Sequence, residues 1–235
     1  IRVFEEGLEA LDAEGLVPGT GHLSIGEEAV SVGACSALGS EDYVISTHRG
    51  HGHALARGMN MSVMLAEVIG KATGCMGGKG GSMHLSDFDI GFLGTNGIVG
   101  GAIGMAGGVG WAIRLKNEQR VCLSSVGDGA SNRGIFHETV NMCACWELPV
   151  AFVCLNNQYA ISMPSSQACA GGDISARATG YGIQGCRVDG LDVIAVREAV
   201  KEAVDKACAG GGPSLVEAVA YRLRGHSMRV DRQAK

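Results

Sequence analysis

A chain of 235 residues, 46% apolar and 18% charged, is sized for one domain and carries ample material for a large core. Its net charge of −5 comes with no basic stripe interleaved with aromatics, which excludes the electrostatic footprint of a nucleic-acid binder. No apolar run approaches the roughly 18 residues of a membrane span, and the opening residues read as a helix rather than a secretory leader.

Nine cysteines, an odd number with no Cys-x-x-Cys pair, read as reduced thiols acting as small hydrophobes, which points to the cytoplasm. The low charge content suggests a surface partly covered by another subunit. No linker, charge run or repeat divides the chain, so residues 1–235 are expected to form a single domain with an N-terminal helical extension. Glycine is the outlier: 38 residues, about twice the usual ~7%. These glycines gather between Gly70 and Gly110 and around Gly127, where backbone is expected to approach something closely.

In chain order, Ile1–Gly15 is helical in pattern, and Gly26–Leu38 is a second helix opening with Glu27 and Glu28, acids suited to a helix N-terminus. Tyr43–Thr47 reads as a short strand, followed by the cluster His48-Arg49-Gly50-His51-Gly52-His53. Ser62–Lys71 is a helix with Ser62 as its N-cap. Thr73–Gly97 has little periodicity and is expected to be one long functional loop. Then come a helix over Ile98–Lys116, a strand over Arg120–Val126, a helix over Ser131–Cys145 and a strand over Pro149–Leu155. A short helix at Asp173–Tyr181, a strand at Cys186–Val188, a helix over Asp192–Ala209 and a last strand over Ser214–Tyr221 complete the order. Strands alternating with helices predict an α/β fold: a parallel sheet covered by helices on both faces. Ligands of such sheets bind beyond the carboxyl ends of the strands, so the loops after Val126, Leu155, Val188 and Tyr221 are the ones to inspect.

Two of those loops carry unusual residues: Gly127-Asp128-Gly129-Ala130-Ser131-Asn132 and Asn156-Asn157-Gln158-Tyr159. The 26 residues between the two motifs suit one helix and one returning strand, which sets both turns side by side. Asp128 offers a hard carboxylate oxygen and Asn157 an amide oxygen. With a carbonyl at Tyr159, a water and two diphosphate oxygens they complete the octahedron that Mg²⁺ prefers. Gly129 and Ala130 are expected to open a helix whose free N–H groups favour phosphate. Either motif alone has the composition of an ordinary turn; the pair at this spacing carries the signal.

Two other motifs fail. Gly127-x-Gly129 lacks the third glycine of a dinucleotide fingerprint, because Asn132 stands there. The run Gly74–Ser82 is one residue short of a phosphate-binding P-loop and continues with Gly80 where Ser or Thr is needed.

At Gly127-Asp128-Gly129 and Asn156-Asn157 the chain resembles the thiamine diphosphate signature. The flanking blocks are similar to the alpha subunit of the thiamine-dependent first component of 2-oxoacid and acetoin dehydrogenase complexes. They are His22-Leu23 with Gly26-Glu27-Glu28-Ala29, Ser46-Thr47-His48-Arg49-Gly50-His51-Gly52-His53, and Gly77-Gly78-Lys79-Gly80-Gly81-Ser82-Met83-His84. The later blocks are Asn96-Gly97-Ile98-Val99-Gly100, Val188-Asp189-Gly190 and Tyr221-Arg222-Leu223-Arg224-Gly225-His226-Ser227.

The resemblance implies a thiamine diphosphate-binding fold and roles for particular residues. Asp128, Asn157 and the Tyr159 carbonyl match the metal ligands, and Gly129 and Ala130 the phosphate-facing amides. Arg49 matches a diphosphate-binding arginine, and a guanidinium fork suits that job. His48 stands where many relatives have tyrosine, a departure seen in the acetoin branch. Gly97 and Val99 match backbone that holds the aminopyrimidine. His226 matches a histidine near diphosphate and substrate, and His22 lines the entrance; these two are the candidate catalytic groups. His51, His53, His84 and His137 are expected to be structural.

The resemblance also implies partners. The glutamate that activates the cofactor belongs to a separate beta subunit in an α2β2 assembly, and Glu138 and Glu147 are not in a comparable motif. The acyl unit passes to a lipoyl-bearing acyltransferase. The His48–His53 block looks most like acetoin-cleaving members, with pyruvate second and branched-chain 2-oxo acids third. Relatives run on past the His-Ser loop, so a continuation beyond Lys235 is expected, and Met228–Lys235 lacks the Ser-Asp-Pro of pyruvate-type relatives. The competing readings are a non-catalytic scaffold and a nicotinamide-dependent dehydrogenase, the latter opposed by Asn132.

Overall fold

A computed structural model describes residues 1–228. The predicted alternation of strands and helices is present, with several shifts in boundary. Helices α1 (Arg2–Ala13) and α2 (Glu28–Ser36) precede strand β1 (Tyr43–Ile45), then α3 (His51–Arg57) and α4 (Met61–Val68). Strand β2 (Phe92–Gly94) is followed by α5 (Gly101–Lys116), β3 (Cys122–Gly127), α6 (Gly134–Cys145) and β4 (Val150–Asn156). A small hairpin of β5 (Tyr159–Ala160) and β6 (Met163–Pro164) leads through α7 (Ser165–Ala168) and a 3₁₀ segment (Ile174–Tyr181). The chain then forms β7 (Gln184–Asp189), α8 (Val193–Cys208) and β8 (Ser214–Val219).

The six main strands form one all-parallel sheet in the order β2-β1-β3-β4-β8-β7. β4 shows why it needs cover on both faces. Ala151, Val153 and Leu155 belong to the core beneath α2 and α8, with Val30, Ala34, Val196 and Val200. The alternate residues Val150, Phe152 and Cys154 belong to the opposite core beneath α5 and α6, with Ile103, Ala106, Phe136 and Val140. A strand apolar at every position is what burial on two faces demands. A third cluster, Leu8, Val17, Leu23, Ile25, Val68 and Met228, seats the N-terminal helix. Close helix packing fixes Gly33, where a methyl group would lie 2.8 Å from Val196.

Several expectations need correcting. The N-cap of α4 is Asn60, whose side chain accepts from the Ser62 and Val63 amides, so Ser62 lies inside the helix. The predicted long loop contains β2, an edge strand paired with β1, and two 3₁₀ turns. The His/Gly cluster, to which the sequence pattern assigns no element, runs into α3, where His51, Gly52, His53 and Ala54 are all buried. Gly129 and Ala130 do not open the helix directly. A 3₁₀ turn at Ala130–Asn132 and an extended Arg133 precede α6. The last strand ends at Val219 rather than Tyr221. Of the stretch Met228–Lys235 that departs from pyruvate-type relatives, Met228 is described; residues 229–235 lie outside the described residues.

Candidate active site

In this strand order the chain turns outward from β1 to β2 and then crosses back to β3. A crevice opens at such a reversal, beyond the carboxyl ends of the strands. A cleft sits there, lined from β1 by Thr47, His48 and Arg49, from β3 by Gly127, Asp128, Gly129 and Ala130, and from β4 by Asn157 and Tyr159. Arg222 and His226 reach it from the segment after β8, and Ile98, Val99, Ile103, Leu155 and Ile161 give it an apolar side. The loop after β1 thus takes the place expected for the loop after Val188. β7 is the far edge strand, distant from the reversal.

Asp128 opens the turn after β3 and is 4% exposed, and its Oδ2 finds no hydrogen-bond partner among the described residues. Burial pushes its carboxyl above the usual range, against the opposing pull of the Gly129 amide. The turn is braced from behind. Ser131 Oγ donates to the Asp128 carbonyl at 2.7 Å, and Arg177 donates to the Ser131 carbonyl at 2.7 Å and to Asn132 Oδ1 at 2.8 Å.

The paired asparagines after β4 divide their work. Asn156 Nδ2 donates to Glu217 of β8 at 2.8 Å, and its carbonyl accepts from the Ala220 amide, so it stitches two strands together. Asn157 faces the cleft: its Oδ1 accepts from the Tyr159 amide at 3.2 Å and its Nδ2 donates to Glu27 Oε1 at 2.7 Å. The hairpin beyond carries two non-glycine residues at positive φ, Gln158 (72°) and Ile161 (57°), a conformation more common where function holds it. Its tip backs closely onto the β3 turn, since a methyl group on Gly129 would sit 2.6 Å from the Ala160 Cβ. Arg222 donates to the Tyr159 carbonyl at 3.3 Å and to the Ile161 carbonyl at 2.9 Å.

Arg49 is 6% exposed and donates to the Leu23 carbonyl at 2.6 Å and the His226 carbonyl at 3.1 Å, with its Nε 3.6 Å from Glu27 Oε1. Three histidines gather around it. The His22 ring lies 4.6 Å from His48 and 5.0 Å from His226, centroid to centroid. One nitrogen from each lies within 4.8 Å of the others. Burial first, then neighbouring positive charge, lowers all three: His22 to about 3, His48 to about 4 and His226 to about 4. At neutral pH the cluster is a set of uncharged imidazoles.

Of the residues singled out from sequence, His48, Arg49, Val99, Asp128, Gly129, Ala130, Asn157, Tyr159 and His226 line one cleft. His22 lies just behind it through its ring contacts. Gly97 does not line the cleft; a methyl group there would face His84 Nε2 at 3.2 Å. The other histidines are held elsewhere: His51 by Glu5 and Ser82, His53 by Ser46, and His137 by Tyr181. Two cleft residues escaped sequence reading, Glu27 and Arg222. Glu27 has the form of an ordinary acid at a helix N-terminus, and only a contact across 130 positions reveals it.

The residues fit a divalent cation beside a diphosphate. A buried carboxylate oxygen with no partner is costly unless a cation completes it. An amide oxygen and a backbone carbonyl of the kind Mg²⁺ accepts stand on the neighbouring turn. Gly127 presents its Cα to open space, with nothing within 4 Å of where a Cβ would stand.

A parallel sheet with a charged, glycine-lined cleft at its reversal defines a cofactor-dependent α/β enzyme class, and comparison with known proteins identifies the family. Residues 1–234 match the family model described as the dehydrogenase E1 component. The chain belongs to the dehydrogenase E1 component family. It is 49% identical over 226 residues to the alpha subunit of acetoin:2,6-dichlorophenolindophenol oxidoreductase from Bacillus subtilis, covering 96% of this chain and 68% of the relative. It is 44% identical over 228 residues to the pyruvate dehydrogenase E1 component subunit alpha of Rhizobium meliloti, covering 97% of this chain and 66% of the relative. The chain therefore spans about two thirds of the length of these relatives. Its fold matches that of a thiamin diphosphate-dependent enzyme isolated from Mycobacterium smegmatis, with a TM-score of 0.53 at 20% identity, over 86% of this chain and 34% of the other.

Proposed function

We propose that the chain is the alpha subunit of a thiamine diphosphate- and Mg²⁺-dependent E1 component that cleaves acetoin and passes the acyl unit to a lipoyl-bearing acyltransferase. The observation that carries this reading is the unpartnered, buried Asp128 Oδ2 on the turn beside Asn157, in one cleft with Arg49. Acetoin is favoured over pyruvate by the 49% identity to an acetoin-type alpha subunit against 44% for a pyruvate-type one. Pyruvate is the second reading.

In this reading Asp128, Asn157 and the Tyr159 carbonyl hold the Mg²⁺. The amides of Gly129 and Ala130 and the Arg49 guanidinium hold the diphosphate, preorganised dipoles that need no rearrangement as charge shifts. Bound thiamine diphosphate supplies the electron sink for carbon–carbon cleavage beside a carbonyl. Backbone at Val99, which lines the cleft, orients its ring. The uncharged His48 and His226 face the substrate, where they donate or accept a hydrogen bond without adding charge, and His22 backs both rings from behind. His22 and His226 each have a buried Nδ1 that no described residue satisfies, available to a ligand oxygen.

Glu27 does not supply the carboxylate that activates the cofactor ring, because it is committed to Asn157 and Arg49. That group is assigned to a beta subunit, giving an α2β2 enzyme with the cofactor at the interface. Nine free cysteines suit a reducing, cytoplasmic setting, and no helix among the described residues is long and apolar enough to cross a membrane.

The test is dye reduction by the chain copurified with its beta partner, with thiamine diphosphate and Mg²⁺, offering acetoin, pyruvate and branched-chain 2-oxo acids in turn. Cofactor-dependent turnover of acetoin supports the reading, and turnover of pyruvate alone replaces its substrate. A complex that binds no thiamine diphosphate sinks it and favours a scaffold.

A further inference from the structure

We propose that Glu27 is a positioning residue for the metal site: it fixes the Asn157 amide so that the amide oxygen faces the cation. The inference deepens the thiamine diphosphate–magnesium reading above and rests on it.

The position of Glu27 is set by rigid backbone. Gly26 has φ of +97°, and a Cβ there would lie 2.2 Å from the Tyr221 carbonyl, so the turn lies flush against the segment following β8. The Leu223 amide donates to the Ile25 carbonyl across the same seam at 3.2 Å. From this turn the Glu27 side chain enters the cleft at the start of α2, 1% exposed.

The orientation of Asn157 follows from its two contacts. Its Oδ1 already accepts the Tyr159 N–H, so its Nδ2 must face Glu27. The flipped amide would set N–H against N–H on one side and oxygen against carboxylate on the other. Without Glu27, only the longer 3.2 Å bond restrains a terminal torsion that is intrinsically broad. With it, the second lone pair of Oδ1 keeps a fixed direction. The same Glu27 oxygen lies 3.6 Å from Arg49 Nε, so one carboxylate registers the metal side of the site with the phosphate side. Outer partners of this kind typically carry about 10–100-fold in metal affinity.

Two conservative variants separate reach from charge. Glu27→Gln keeps an acceptor oxygen at the same reach and loses the charge; Glu27→Asp keeps the charge and retracts by one methylene. The chain with its beta partner is titrated with thiamine diphosphate by calorimetry, then with Mg²⁺ at saturating cofactor, beside melting curves of the cofactor-free forms. The expected result is a half-saturating Mg²⁺ concentration within about threefold of wild type for Glu27→Gln and raised roughly tenfold or more for Glu27→Asp, with the cofactor-free melting points alike. A Glu27→Asp form that matches wild type overturns the proposal, as does a Glu27→Gln form that weakens as much as Glu27→Asp. A wild-type complex that binds no thiamine diphosphate overturns the functional reading itself, before any variant is compared.

Discussion

Glu5 of α1 and His51 of α3 meet with Oε2 3.0 Å from Nδ1, and neither side chain has any solvent exposure. The pair is the middle of a longer chain. Glu5 Oε1 accepts from the Ser24 amide and hydroxyl, and His51 Nε2 lies 2.9 Å from Ser82 Oγ. One carboxylate thereby joins the first helix, the residues before α2, the histidine run and the glycine-rich loop.

Breaking such a buried pair leaves an uncompensated partner, so Glu5→Leu is expected to cost roughly 3–5 kcal/mol. Burial pushes the Glu5 carboxyl up, but the charge and hydrogen bond of His51 and the Ser24 donors bring it below the ordinary value. A depressed carboxyl contributes stability above its unfolded value that is lost as pH falls. Denaturant melts of wild type and variant at neutral and acidic pH should show the gap narrowing in acid.

Glu67 anchors the glycine-rich loop. Its Oε2 accepts from the Met76 and Gly78 amides and its Oε1 from Gly80 and Gly81, all between 2.7 and 3.1 Å. Glu67→Gln turns one acceptor into a donor facing donors, at an expected cost of about 1–3 kcal/mol. Limited proteolysis should cut the variant first between residues 74 and 83. A cleavage pattern identical to wild type would show that the loop holds itself.

The site histidines predict acid lability. His22, His48 and His226, lowered to about 3, 4 and 4, are joined by His53 at about 4, lowered by burial. An unfolded histidine takes its proton near pH ~6.5, so the unfolded state gains protons first as pH drops. Stability contributed by these groups is full above about 6.5 and fades towards about 4. Melting temperature measured across that window should fall, and the fall should be shallower in His53→Leu.

Asp128 sets function against stability. Asp128→Asn removes a buried charge with an unpartnered oxygen, so the cofactor-free chain is expected to gain about 1–3 kcal/mol. The same variant should lose the rise in melting temperature that Mg²⁺ with thiamine diphosphate gives wild type through binding to the folded state alone. A variant still stabilised by the pair would remove Asp128 from the metal site.

The sheet and the two turns at its centre were legible because their signals are contiguous. Apolar runs such as Pro149–Leu155 end in the residues that do the binding, so strand and site are read together. β2 was not legible: three residues at a sheet edge carry too little pattern against a glycine-rich background. α3 was hidden because Gly50 and Gly52 argue against a helix, and tertiary burial of His51, His53 and Ala54 overrides that preference. Glu27 and Arg222 act through carbonyls and amides far away in sequence, which no local spacing encodes. Gly97 was carried over by resemblance alone, and the structure sets it behind the cleft wall against His84.

The strand order also has a temporal side. β8, the last of the described strands in chain order, lies between β4 and β7. A ribosome-bound chain that has not yet released Ser214–Val219 therefore leaves one flank of β4 unpaired and β7 without its neighbour among the described residues. Asn156, held by Glu217 and Ala220, lacks its partners for just as long. The turn bearing Asn157 is thus completed only once β8 has joined the sheet, although both of its own flanking segments, β4 and the β5–β6 hairpin, are made earlier.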